Sequence, residues 1–318
     1  MAQRRSEFDV TDRVDTTRPG EVAAEIARLY ESLYQHGTPG NLTRAFRDLE
    51  RLYRGEFPGY YPCDTDYHDI QHVLDVTLAM GRLMDGCVHA TSVATLGERL
   101  FALGIVTALF HDCGYIRHRK DTKHRYGAEY TTTHVTRGAR FLEEYLPTIG
   151  MGEFTQAATR VIHFTGYEIP VSRISVPGPE FRLIGNLLGS ADILAQMADR
   201  CYLEKCYDRL YPEFVLGGVT RRRLEDDSEE VLYRSAADLV VNVPNFYRGA
   251  TVRLERDLGA HYIYAEKHFG DQNLYLDEVS KNVEHARSIA SQGDLSMLRR
   301  KPPTTIADQA DAEQPRLI

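Results

Sequence analysis

One apolar stretch of the chain reads Leu100-Phe101-Ala102-Leu103-Gly104-Ile105-Val106-Thr107-Ala108-Leu109-Phe110, and His111-Asp112 follows it directly. A helix that is apolar on nearly all faces is buried. Ionisable side chains at its inner end therefore lose their hydration unless a partner compensates. A divalent cation would do so, because histidine offers a neutral nitrogen and aspartate an anionic oxygen. The alternative is an aspartate that caps a turn beside a buried histidine.

The rest of the chain shows helical periodicity and very few strand signals. We place helices near residues 68–84, 93–112, 127–146, 153–166, 181–200, 201–210, 227–243, 245–268 and 274–290. Breaks are expected at Asp85-Gly86 and Pro244, among others. The pattern predicts an all-α fold. A single helical domain over residues 21–290 would follow a flexible arm (1–20) and precede a disordered polar tail (291–318).

Composition narrows the classes of protein and of partner. The 318 residues include 38 Lys and Arg against 46 Asp and Glu, a net charge of −8. That balance argues against a surface that binds duplex nucleic acid. The five cysteines contain no CxxC pair, so a reducing compartment fits better than a disulfide framework. No secretory signal and no membrane-spanning run is apparent. We expect a soluble, cytoplasmic protein with no membrane partner.

Further histidines and aspartates lie in helical patterns. The segment Tyr67-His68-Asp69-Ile70-Gln71-His72-Val73-Leu74-Asp75-Val76 places His68, His72 and Asp75 on one face of a helix. His134, His163 and Asp192 lie in mainly apolar surroundings farther along the chain. Each of these alone could be a core histidine or a polar-face aspartate. Together with His111 and Asp112 they supply enough donors for two metal ions.

The order His72, His111-Asp112 and Asp192 resembles the H…HD…D signature of the HD-domain metal-dependent phosphohydrolase superfamily. The segment from Tyr67 to Val76 is similar to the YHNxxHxxDV segment of cyclic-nucleotide phosphodiesterase catalytic domains. The resemblance covers roughly residues 60–215. It implies an HD-domain helical bundle, with additional helices on the C-terminal side.

The resemblance also implies roles for particular residues. His72, His111, Asp112 and Asp192 would bind a first metal ion, and Asp112 would be shared with a second. His134 and His163 match the two extra histidines that complete two-metal sites in HD proteins. His68 matches the histidine that gives a proton to the leaving oxygen. With this mixed ligation, two divalent ions of Mn, Fe, Zn, Ni or Co are expected rather than Mg alone.

The chain departs from the phosphodiesterase pattern in places. Those enzymes carry a further histidine as HDxxHxG, where this chain has Tyr115. Gly166-Tyr167 after His163 resembles the HD-GYP subgroup, but proline does not follow directly. The cyclic-nucleotide branch is therefore less closely matched than the superfamily.

These features together predict a hydrolase of a small anionic phosphoester, such as a nucleotide, that uses a hydroxide held between two metals. Arg117, Lys120 and Lys123 lie in a basic segment after the HD pair and are candidate phosphate contacts, although a solvated loop is equally consistent. A di-iron oxygenase with the same ligands and a non-catalytic HD module that binds a ligand or partner remain alternatives. The helices of residues 227–290 are expected either to wall the pocket or to form a homodimer contact.

Overall fold

The structure is a computed structural model that describes residues 4–35, 37–90, 96–223 and 227–306. It is all-α, which confirms the fold class predicted from the sequence. Its α-helices in chain order are α1 (Pro19–Tyr34), α2 (Gly40–Tyr53), α3 (Ile70–Ala90), α4 (Glu98–Leu109), α5 (His134–Thr148), α6 (Thr155–Val161), α7 (Pro179–Ala198), α8 (Tyr202–Lys205), α9 (Tyr211–Leu216), α10 (Ala236–Val241), α11 (Val243–Val252), α12 (Tyr264–Phe269) and α13 (Leu274–Gln292). Among the described residues, the strands are β1 (Arg221–Arg223) and β2 (Glu229–Val231), which pair antiparallel.

Helix α3 is the central element of the core and packs against α1, α4, α7 and α12. Most of its side chains are buried, as expected for a helix surrounded by other helices. The break predicted at Asp85-Gly86 is absent, because α3 continues to Ala90. Gly86 instead allows a close approach of two segments, since a Cβ there would collide with the carbonyl oxygen of Tyr264 on α12.

Helix α4 carries the apolar stretch and is buried from Phe101 to Leu109. It ends earlier than the sequence pattern predicts, and a tight 3-10 turn over Cys113–Tyr115 follows. His111 and Asp112 therefore lie in the turn after the helix, fully surrounded by protein. Residues 93–95, the start of the predicted helix, lie outside the described residues.

The region after α9 differs from the helix predicted over residues 227–243. The strands β1 and β2 form a hairpin there, in which Arg222 is paired with Glu230 across the strands and Arg221 forms an ion pair with Glu229. Such opposite-charge pairs stabilise neighbouring strands, so a block of arginines on one strand and a pair of glutamates on the other favour a hairpin over a helix start. Helices α10 and α11 then meet at Asn242, next to the predicted junction at Pro244.

The two terminal segments pack more closely than a loose arm and a disordered tail would. Asp9 in the N-terminal segment forms a buried ion pair with Arg82 of α3. Near the C-terminus, the backbone N–H groups of Arg299 and Arg300 donate to Glu204 Oε1 at 3.1 and 3.0 Å. Buried charged side chains keep partners, and these partners hold both segments on the helical body. Residues 1–3 and 307–318 lie outside the described residues.

Two further observations concern membrane-spanning helices and the cysteines. In the part of the chain that the structure describes, no helix combines the length and the apolar character needed to cross a bilayer. All five cysteines are buried and none forms a disulfide bond. Buried cysteines outside disulfide bonds pack as small apolar side chains.

Candidate metal centre and its cavity

His111 and Asp112 form the centre of a buried polar cluster. The Asp112 carboxylate reaches back towards the histidine beside it and across to α3, with Oδ2 at 3.2 Å from His111 Nε2 and 3.3 Å from His72 Nε2. The three side chains offer ligand atoms within 4.8 Å of one another and are all buried. Residues that are 40 positions apart in sequence thus converge because α3 and α4 pack side by side.

Asp192 completes the cluster from the middle of α7. Its Oδ1 lies 3.6 Å from His72 Nε2 and 4.0 Å from His111 Nε2. Helix α7 is mainly apolar and packs along α3, so this one anionic side chain is directed into the interface between them. The four residues predicted as ligands of the first metal are therefore brought together.

The orientation of the histidine rings fits cation binding. His111 Nδ1 lies 2.8 Å from the Ala108 carbonyl oxygen, so Nδ1–H donates there. That tautomer leaves the Nε2 lone pair directed at the carboxylates, and Nε2 is buried without a hydrogen-bond partner. Metal-binding histidines typically donate their other ring N–H in this way. A divalent cation among His72, His111, Asp112 and Asp192 would satisfy the unpaired nitrogen, so these donors fit such an ion.

The charges within the cluster already act on one another. Burial lowers the pKa of His111, but the carboxylate of Asp112 outweighs burial and raises that pKa to about 9. Burial raises the pKa of Asp112, but His111 and His72 more than reverse this and hold it well below its usual value. The carboxylates thus favour positive charge at this point, which a bound cation would supply.

His134 stands beside the cluster at the start of α5. Its Nδ1 lies 2.7 Å from the Thr131 carbonyl oxygen, and its Nε2 lies 3.6 Å from Asp112 Oδ1. Burial lowers the pKa of His134, which favours the neutral, ligand-competent form. The second oxygen of Asp112 therefore faces one of the two histidines expected at a second metal position.

The structure does not bring His163 to the cluster. His163 lies in the 3-10 turn Ile162–Phe164, where Ile162 and Phe164 are fully buried and His163 is only half-buried. It does not line the cavity described below. The sequence predicted that His163 is directed inward because apolar residues flank it. In the structure the 3-10 turn directs Ile162 and Phe164 into the core and leaves His163 at its edge. Glu168, which sequence reasoning missed, lines the cavity near His134.

His68 lies before α3 begins, not on the helix as its spacing predicts, yet its ring remains 5.9 Å from that of His72. Its Nδ1 is 2.6 Å from Glu213 Oε2, and the backbone N–H of Tyr67 donates to Glu213 Oε1 at 2.5 Å. Burial lowers the pKa of His68, but Glu213 more than offsets burial and the pKa is raised. The protonated imidazolium of His68 is thereby favoured.

Glu213 was not predicted from the sequence. It is buried on α9, 145 positions from His68. A buried carboxylate needs partners, but the sequence contains no pattern that links it to the histidine segment.

Tyr115 lies between two of the cluster's histidines. Its ring stacks on His68 with centroids 4.2 Å apart and on His134 with centroids 4.4 Å apart, at interplanar angles of 17° and 19°. The position that departs from the phosphodiesterase pattern is thus occupied by a fully buried aromatic spacer. Tyr115 fixes the separation of the two imidazole rings.

A cavity of about 710 Å³ opens directly onto the cluster. One side, here called the cluster wall, consists of His68, His72, Asp112, His134 and Asp192. Another side, the C-terminal wall, includes Leu210, Phe214, Leu232, Tyr233, Leu239 and Phe246. The volume lies within the range of small-molecule sites. The C-terminal region therefore walls the pocket, one of the two roles predicted for it.

The predicted phosphate contacts lie elsewhere. Arg117 donates to Asp64 Oδ2 at 3.0 Å and lies over the ring of Tyr61, while Lys120 and Lys123 are exposed. Within the described residues, no lysine or arginine lines the cavity. The basic segment that follows His111-Asp112 is directed away from the cavity. An isolated antiparallel β-bridge between Tyr60 and His118 holds it against the segment before α3.

Comparisons with protein-family models, with curated proteins and with solved structures return no match for this chain. The resemblance to HD-domain phosphohydrolases therefore rests on the sequence motifs alone.

Proposed function

We propose that this protein is a metal-dependent phosphoester hydrolase. The observation that carries the proposal is the buried cluster of His72, His111 and Asp112, in which His111 Nε2 has no hydrogen-bond partner. Asp192 reaches it with Oδ1 at 3.6 Å from His72 Nε2, and the cluster borders a cavity large enough for a small molecule. Perturbed titratable groups that border a cavity are typical of catalytic sites.

The donor set defines the kind of ion. Two imidazole nitrogens and two carboxylates suit Mn, Fe, Zn, Ni or Co better than Mg, which prefers oxygen. When bound, such an ion would offset negative charge on the phosphoryl oxygens and lower the pKa of a water. A second ion would find Asp112 Oδ1 and His134 Nε2, which are 3.6 Å apart, but not His163. The proposal therefore requires one ion and allows for a second.

His68 would act as the proton donor. With Nδ1–H donated to Glu213, the ring holds a second proton on Nε2, and His68 lines the cavity. A protonated histidine at this place could give that proton to the leaving oxygen as the ester bond breaks. Glu213 would keep the ring charged and oriented, and Tyr115 would hold it in place by stacking.

The test compares histidine variants on one helix. His72→Ala should lose bound metal and hydrolysis of bis(p-nitrophenyl) phosphate with Mn²⁺, by about 100-fold or more. His89→Ala is the matched control, because His89 is exposed at the far end of α3. Metal content is measured on the same samples. His163→Ala reports separately on the second ion and should keep both the metal and the activity of the first.

Two outcomes would contradict the hydrolase. Metal-loaded protein with no activity on any phosphoester would remove the proposal. Oxygen consumption coupled to product formation would replace it with the di-iron oxygenase alternative.

A further inference from the structure

The charges that face the cavity are unusual for a phosphate site. The carboxylates of Asp112, Asp192 and Glu168 line it, whereas no lysine or arginine of the described ranges does. The guanidinium of Arg253 is close by but donates to the carbonyl oxygens of Phe164 and Gly166 at 2.7 and 2.6 Å. Protein sites for phosphomonoesters and polyphosphates commonly use arginine or lysine. Here positive charge must come from histidines and bound metal, which favours a substrate with one negative charge.

The C-terminal wall is apolar and aromatic. The rings of Phe214 and Tyr233 lie 5.7 Å apart, and Leu232, Leu239 and Phe246 extend the same surface. An apolar group placed against this surface leaves water and is stabilised in proportion to the area it buries. The wall therefore favours the organic part of a substrate more strongly the more apolar that part is.

Four polar side chains on the remaining cavity surface form hydrogen bonds within the protein. Asn242 donates to the Asp238 carbonyl oxygen at 2.9 Å and accepts from Asn245, whose own oxygen accepts from Arg248 at 2.6 Å. The hydroxyl groups of Thr131 and Thr165 donate to backbone carbonyl oxygens. Recognition of a sugar or a nucleobase requires hydrogen-bonding groups that are directed at the ligand. The hydroxyl donors of Thr131 and Thr165 are directed at the protein backbone, and the amides of Asn242 and Asn245 bond to neighbouring protein groups.

We propose that the substrate is a phosphodiester with a single negative charge whose organic group is apolar, an alkyl or aryl chain and not a nucleoside. The inference rests on the proposed hydrolase function and assigns its substrate class. The cluster wall would take the phosphodiester end, and the C-terminal wall would take the apolar group. Phe246 and Tyr233 are the specificity-determining residues of this arrangement.

The test uses esters that share p-nitrophenol as the leaving group. Hexyl p-nitrophenyl phosphate and methyl p-nitrophenyl phosphate have the same charge and differ only in apolar length. The p-nitrophenyl ester of thymidine 5′-phosphate keeps the charge and adds a nucleoside, while p-nitrophenyl phosphate carries a second charge. We expect kcat/KM for the hexyl ester to exceed that for each of the other three by about tenfold or more.

Variants of the wall connect this preference to the structure. Phe246→Ala and Tyr233→Ala should each reduce the ratio of hexyl to methyl kcat/KM by about fivefold, because each removes apolar surface that only the longer chain reaches. Ile263→Ala, which removes an exposed side chain outside the cavity, is the control and should keep the wild-type ratio. Circular dichroism and thermal melting verify that each variant is folded. If one of the two wall variants does not fold, the other still tests the proposal.

The possible failures are distinguishable. Equal rates on the hexyl and methyl esters, or a preference for the thymidine ester or for p-nitrophenyl phosphate, would overturn the substrate class and leave the hydrolase standing. No hydrolysis of any of the four esters by metal-loaded protein would overturn the hydrolase, and the substrate class with it.

Discussion

The two walls of the cavity are built in opposite ways. The cluster wall comes from α3 and the segment before it, the turn after α4, α5 and α7, and it consists of titratable side chains that hold one another in place. His72 and Asp112 are buried, and the other three side chains are partly buried. The C-terminal wall comes from short helices and the loop after a hairpin, is partly exposed, and is almost entirely apolar. The contrast indicates that one part of the molecule carries the chemistry and another selects the substrate.

The largest effect should follow from removing the central charge of the cluster wall. Asp112→Asn keeps the size of the side chain but loses the carboxylate that faces His72, His111 and His134. We expect bound metal to be lost and kcat/KM to fall by about 1,000-fold or more. Metal analysis and initial rates measure both quantities. A Phe246→Ala variant should keep its metal, and equal metal loss in the two variants would contradict the division between the walls.

A smaller loss should come from the partner of His68. Glu213 raises the pKa of His68 against the effect of burial, so Glu213→Gln should lower that pKa. The protonated donor then disappears at a lower pH, and the alkaline limb of the pH profile of kcat/KM moves to lower pH. We expect kcat/KM on the alkaline limb to fall by about tenfold, as for a change of about one pKa unit, with metal content unchanged.

The control for this prediction is Glu284→Gln, which alters an exposed carboxylate on α13. An unchanged pH profile in Glu213→Gln would show that His68 does not donate the proton. Loss of metal in Glu213→Gln would instead make Glu213 part of the ion site.

The aromatic spacer should matter more for stability than its hydroxyl does. Tyr115→Ala removes a fully buried ring between His68 and His134, which should cost about 3–5 kcal/mol in the free energy of unfolding. Tyr115→Phe keeps both stacked contacts and should cost about 1 kcal/mol. Denaturant unfolding of the two variants measures the difference. Similar losses would mean that the hydroxyl, not the ring, is the stabilising group.

The smallest expected effect lies behind the cluster wall. Burial, reinforced by Asp199, raises the pKa of Asp75 to about 7, so ionisation of Asp75 destabilises the folded state as pH rises from about 4 to 7. Asp75→Asn removes that ionisation. The variant should therefore lose less stability than wild type between pH 5 and pH 8, by on the order of 1 kcal/mol. Thermal melting at both pH values measures this, and parallel declines in the two proteins would contradict it.

Much of the fold and of the cluster could be predicted from particular residues. The uninterrupted apolar stretch before His111 predicted a buried helix with ionisable groups at its end. The structure has α4 there, followed by the turn that contains His111 and Asp112. Asp192 was predictable because a single anionic residue in an apolar helix must be compensated. The break at Asp85-Gly86 was wrongly predicted, since glycine can permit close packing of helices as readily as it can end one.

Other parts of the site could not be predicted because they depend on distant segments. In the sequence, Glu213 cannot be distinguished from a surface glutamate. Its role depends on the packing of α9 beside the segment before α3, which brings it to His68. His163 looked like an inward ligand until a 3-10 turn buried its neighbours instead. The residues of the C-terminal wall are leucines and aromatics such as any core contains, and nothing in their spacing distinguishes a packed core from a cavity surface.

The sequence by itself determined that the chain folds into helices, because helical periodicity is a local property. It also indicated that His72, His111, Asp112 and Asp192 are directed inward, because apolar residues flank them. Tertiary structure alone decided which histidines reach the cluster, which carboxylate holds His68, and which side chains surround the substrate. Those outcomes depend on how helices far apart in sequence pack together, and packing direction is set by the whole core and not by any local pattern.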